Sequence, residues 1–110
     1  MLTLPRALQE EMLAHCRQEY PKEACGILAG SGGNVSRVFP MTNTDQSPIS
    51  YTFEPKEQLR VQKTMEKEHL ELLAIYHSHT ASQAYPSPVD VARASEPGAV
   101  YDLNPGGSGG

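Results

Sequence analysis

The chain has 110 residues, a formal net charge of −4, 38% apolar residues and two cysteines. That is enough for one small domain with a single core and little to spare. No apolar run approaches the roughly 18 residues a membrane span needs, and the start "MLTLPRALQEEM" lacks the basic-then-apolar order of a secretion signal. Lysines and arginines are scattered, so the basic patch that marks a nucleic-acid surface is missing. Cys16 and Cys25 fall in a helix and a strand, and a reduced, cytoplasmic protein is the simplest reading.

Pro5 suits the first turn of a helix, and Leu8, Met12 and Cys16 recur along one face. Residues 5 to 19 therefore read as an amphipathic helix, with Glu10, Glu11, Arg17 and Gln18 on the wet side. "ACGILAG" is a short buried strand closed by the turn "GSGGN", and "VSRVFPM" is the second arm of a hairpin. "TNTDQSP" is a polar loop and "ISYTFEP" a third strand. Pro55 opens a second helix through about Glu68, carrying Leu59, Val61 and Met65. "LELLAIYHSH" is apolar almost without a break, as in a strand buried on both faces. In "PSPVDVARA", Ser87 reads as an N-cap, Pro88 as the first helical residue and Asp90 as an acid in the first turn, so a helix is expected there. "GAVY" opens another strand, which Asp102, Asn104 and Pro105 stop. The order of elements gives an α/β or α+β domain, helices packed on a mostly β core.

The chemically dense stretch is "HSHTASQAYPSPVD", from His77 to Asp90. Strand side chains alternate, so His77 and His79 project to one face while Ser78 points away. Two imidazoles and the Asp90 carboxylate supply three ligands for a divalent metal. A fourth tetrahedral position then stays open for water, the pattern of catalytic rather than structural zinc. Such water has its pKa lowered to about 7 and becomes a nucleophile at neutral pH. A hydrolase still needs a base for the proton and donors for the oxyanion. Glu23, just before the first buried strand, faces either solvent or a cleft, and Ser87, three residues before the acidic ligand, is expected to bring its hydroxyl near the metal.

The set "E…HSH…S..D" resembles the motif of the JAMM (MPN-plus) metalloprotease family, in its small prokaryotic type, and Glu23 sits in a matching "PxExCGxLxG"-like segment. The resemblance covers roughly residues 2 to 101. It implies a cytidine-deaminase-like mixed β-sheet flanked by helices, with His77, His79 and Asp90 binding Zn2+. It further implies Glu23 as general acid/base and Ser87 as the hydroxyl that stabilises the tetrahedral intermediate. The expected reaction is hydrolysis of a peptide or isopeptide Gly–X bond at the C-terminus of a ubiquitin-like or sulfur-carrier protein ending in Gly-Gly.

Each residue also has a plainer role. The histidines can be polar residues ending a strand, Ser87 and Asp90 a helix cap, Glu23 a solvated boundary residue. Cys25 reads as core; His15 and His69, without a partner at ligand spacing, as surface or half-buried residues; Tyr85 as a groove or loop aromatic. The chain also departs from the family pattern, because "DLNPGGSGG" stands where further strands are expected. Residues 1–101 then form the domain, with its C-terminal strands missing, and 102–110 a flexible tail or linker scar. A shortened or engineered chain, a natural short form completed by a homodimer through the unpaired sheet edge, and a functional Gly109–Gly110 end are the three explanations. An inactive fragment, a non-catalytic binding module of the same fold and a hydrolase of small molecules or ordinary peptides are the competing functions.

Overall fold

The hairpin at the start of the sheet is set by two glycines. Gly32 and Gly33 have φ of 60° and 83°, the left-handed pair that a two-residue type I′ turn requires, and Ser31 and Asn34 close the turn as a pair. The computed structural model of the chain describes residues 2–44, 52–79, 89–93 and 100–103. Its elements are α1 (Arg6–Glu19), β1 (Cys25–Ser31), β2 (Asn34–Met41), α2 (Pro55–Lys67), β3 (Glu71–Ser78), β4 (Val89–Arg93) and β5 (Val100–Leu103). The strands form one sheet in the order β2-β1-β3-β4-β5, and every neighbouring pair is antiparallel. A mixed sheet was expected; among the described residues, parallel pairing is confined to the isolated bridge between Thr3 and Asn34.

Both faces of the sheet carry a core. Alternation sends Leu28 of β1, Val38 of β2, Tyr76 of β3 and Val91 of β4 to one side, where Met12, Leu13 and Cys16 of α1 cover them. Cys25, Ile27, Phe39 and Met41 point to the other side and pack with Val61 and Met65 of α2. Each fully buried apolar side chain of this size contributes roughly 1.5–3 kcal/mol, so the helices hold the sheet from both faces. α2 begins as its sequence demands: Pro55 is the first helical residue, and the Glu54 carboxylate accepts the Glu57 N–H at 2.7 Å. It ends at His69, in the left-handed region at φ 57°, with the Leu70 N–H returning to the Met65 carbonyl at 2.8 Å.

Four expectations are corrected. The helix over "PSPVDVARA" is not there: Val89–Arg93 is strand β4, hydrogen-bonded between β3 and β5. The Ser-x-x-Asp capping pattern competed with an equally clear alternation, and the pairing with β3 decided it by burying the β-branched Val89 and Val91. Of "ISYTFEP", the described part contributes only a bridge between Asn43 and Phe53, and residues 49–51 lie outside the described residues. β3 is fully buried on one face, at Ala74, Tyr76 and Ser78, and half-buried at Leu73, Ile75 and His77 on the other. β5 also runs on to Leu103, past the stop expected at Asp102.

Candidate metal centre

Cross-strand register assembles the cluster. His77 on β3 stands directly opposite Cys25 of β1 on one side and Asp90 of β4 on the other, so the three share the face that α2 covers. Tyr76 and Ser78, the neighbours of His77, turn the opposite way and are fully buried. His79 follows immediately after the strand end.

The three proposed ligands meet. His77 Nε2 lies 3.6 Å from Asp90 Oδ2, and His79 Nε2 contacts the same carboxylate oxygen. The two imidazoles stand edge to face with centroids 4.6 Å apart. One donor atom from each residue falls within 4.8 Å of the others. A tetrahedral ion with bonds of about 2.0–2.1 Å holds its donors roughly 3.4 Å apart, so the cluster is close to the size such an ion needs. Side-chain exposure is 22% for His77, 41% for His79 and 13% for Asp90, so His79 is the most exposed of the three. Burial, and then the neighbouring His79, lower the His77 pKa below 6.5. The ring is therefore neutral at pH 7, the state in which an imidazole binds metal.

Glu23 is not a solvated boundary residue: it is 3% exposed. The register that sets Cys25 against His77 continues past the strand, because the Ser78 N–H donates to the Ala24 carbonyl at 3.0 Å. Glu23 is the residue just before this last backbone contact, two positions ahead of Cys25. Ser87 and Tyr85 lie outside the described residues. Cys25 belongs to the core as expected, its thiol pushed up to about 12 chiefly by burial. His15 is half-buried and bonded to Tyr76, its Nδ1 2.7 Å from the phenol oxygen. His69 serves the end of α2.

The sequence reading passed over Asn43 and Gly26. Asn43 sits just after β2 and donates its Nδ2 to the Glu23 carbonyl at 3.0 Å. Its signal was weak, an amide among other polar residues in "TNTDQSP". Gly26 faces Tyr76 across the β1–β3 pair, and the phenol ring lies where a side chain at position 26 would be.

Fold and site together define a class: an α+β domain whose sheet brings a His-x-His pair together with an aspartate from the next strand. The chain matches the family model for prokaryotic homologs of the JAB domain over residues 5–107, and it belongs to that family. The match runs past the domain boundary expected at residue 101. The chain is 46% identical over 105 residues to a CysO-cysteine peptidase of Mycobacterium tuberculosis, covering 94% of this chain and 72% of the relative. It is 45% identical over 95 residues to a probable TtuB-protein conjugate cleaving protease of Thermus thermophilus, covering 86% and 64%. The solution structure of a protein from Desulfitobacterium hafniense superposes with a TM-score of 0.69 at 32% identity, covering 94% of this chain and 90% of that one. The Mycobacterium and Thermus relatives carry the names of hydrolytic enzymes.

Proposed function

We propose that the chain is a zinc-dependent peptidase that cleaves the bond following the C-terminal Gly-Gly of a ubiquitin-like or sulfur-carrier protein. The observation that carries this is the meeting of His77, His79 and Asp90 donor atoms within 4.8 Å, and the burial of Glu23 supports it. One relative is named a CysO-cysteine peptidase and another a probable TtuB-protein conjugate cleaving protease. Both names describe a bond to a carrier protein, which supports a carrier substrate here. No helix among the described residues is long and apolar enough to cross a membrane. Cys16 and Cys25 are free thiols, in keeping with a reducing cytoplasm. The edge strand β5 suits pairing with a second copy.

His77, His79 and Asp90 hold the ion. A bound zinc supplies Lewis acidity and makes water acidic enough to lose its proton near neutral pH. Glu23 accepts that proton and passes it to the leaving amine, so one carboxylate serves as base and then acid. Ser87, at the motif spacing, donates its hydroxyl to the oxygen of the former carbonyl. Elemental analysis should find one zinc per chain in the wild type and next to none in His77→Ala. Glu23→Gln should keep the zinc and lose turnover by about 10²–10⁴-fold. Unchanged turnover in Glu23→Gln, or full zinc in His77→Ala, would sink the assignment.

A further inference from the structure

The peptide group that joins Glu23 to Ala24 is gripped at both ends by side chains. Its carbonyl accepts a hydrogen bond from Asn43 Nδ2 at 3.0 Å, and its N–H donates to Ser78 Oγ at 2.8 Å. Within a sheet, backbone groups of the neighbouring strand usually serve these roles. They do so on the very next peptide, where the Ala24 carbonyl takes the Ser78 N–H. For the Glu23–Ala24 peptide, two side chains from separate parts of the chain replace them. One comes from the loop after β2, the other from the residue between the two histidines.

Both clamps are themselves fixed. Ser78 is fully buried, and its hydroxyl, by accepting the Ala24 N–H, ties β3 to the start of β1. Asn43 Oδ1 accepts the Thr52 N–H at 2.9 Å, and the Asn43 backbone bridges to Phe53. The adjoining Thr42 hydroxyl donates to Glu57 Oε2 at 2.9 Å, linking the loop to the first turn of α2. A peptide plane contains the Cα atom that precedes it. Fixing this plane therefore fixes the Glu23 Cα relative to His79.

We infer that Asn43 and Ser78 are positioning residues for Glu23, clamping the peptide from which its carboxylate is carried so that the carboxylate stays in reach of the metal centre. The inference rests on the proposed role of Glu23 as proton carrier. It gives the serine of His-Ser-His a duty apart from metal binding: its neighbours present the ligands on one face while its hydroxyl holds the base from the other. A displacement of about 1 Å at a catalytic group can cost on the order of 10²-fold in rate.

The test uses the full chain with Ser78→Ala, Ser78→Thr and Asn43→Ala, each alone and with Glu23→Gln. Three quantities are read: hydrogen exchange of the Ala24 amide by NMR, zinc per chain, and kcat and KM on a carrier whose Gly-Gly end bears one extra residue. Ser78→Ala should speed Ala24 exchange by about 10-fold or more while Val61 and Met65 amides in α2 keep their protection. Zinc per chain and KM should hold, and kcat should fall by about 10–100-fold. Ser78→Thr, which keeps a hydroxyl, should restore both exchange and kcat. Asn43→Ala should repeat the kcat loss, and neither substitution should lower the residual rate of Glu23→Gln by more than about 2-fold. Unchanged Ala24 exchange in Ser78→Ala overturns the inference, as does an equal fold-loss with and without Glu23→Gln, or loss of zinc together with kcat. If Ser78→Ala does not fold, Asn43→Ala and Ser78→Thr decide by the same readings. Full turnover in Glu23→Gln would instead refute the role of Glu23, and amide exchange, which needs no turnover, would still judge the clamp.

Discussion

Gly26→Ala perturbs the support of β3 without touching a proposed ligand. A Cβ at position 26 would lie 2.2 Å from Tyr76 Cε2 and 2.3 Å from Cζ and Oη, more than 1 Å inside the 3.4 Å of ordinary contact. The ring cannot swing aside cheaply, since Tyr76 is fully buried in the α1-side core and its hydroxyl meets His15 at 2.7 Å. Overpacking of this kind costs about 1–3 kcal/mol, and separating the buried phenol from its partner adds about 1–3 kcal/mol. A total of about 2–6 kcal/mol corresponds to a loss of roughly 8–24 °C in Tm for a chain of this size. Thermal unfolding followed by far-ultraviolet circular dichroism, in EDTA to exclude metal linkage, measures it. The sharper arm is a cycle with Tyr76→Ala: once the ring is gone, Gly26→Ala should cost less than about 1 kcal/mol. A Tm loss below about 2 °C in the single variant, or equal losses with and without the ring, would refute the packing account.

Two further predictions concern buried groups. Burial lowers the His15 pKa below 6.5 against the raising effect of Glu19 and Glu57. The unfolded chain then binds more protons than the native one, so this contribution to stability is complete above pH 6.5 and lost as the pH falls through 6.5 toward the folded value. Urea midpoints at about pH 7.5 and 5.5 should differ less in His15→Gln than in the wild type; equal differences would contradict this. Cys16 and Cys25 are buried, with thiols pushed up to about 11 and about 12 chiefly by burial. Native protein at about pH 8 should resist iodoacetamide while denatured protein takes up the reagent at both sites; rapid labelling of the native state would contradict their burial.

The sequence was most legible where local chemistry and tertiary packing agree. Both helices announce themselves through proline at the start and an apolar stripe, and the β1–β2 hairpin through Gly32–Gly33 between apolar runs. β4 was misread because Ser87, Pro88 and Asp90 satisfy the local rules of a helix start. The competing cue, Val89 and Val91 alternating with Asp90 and Ala92, gains its force only from a β3 face that a single sequence does not display. The ligand trio was visible all the same, because ligand types and spacing are a property of the chain, whichever element carries them. What stayed hidden depended on tertiary structure: that Asp90 stands opposite His77, and that Glu23 is buried rather than solvated. Gly26 and Asn43 were illegible for the same reason, since each acts through a partner distant in sequence, Tyr76 for one and the Glu23 carbonyl for the other.

The central claim is that His77, His79 and Asp90 form the metal centre of a peptidase acting behind a carrier's Gly-Gly. Its most direct test is the mass of such a carrier, extended by one residue, after incubation with the zinc-loaded chain. The account predicts a product ending at Gly-Gly, formed by the wild type and absent with His77→Ala. An intact carrier, or the same product from both proteins, would contradict it.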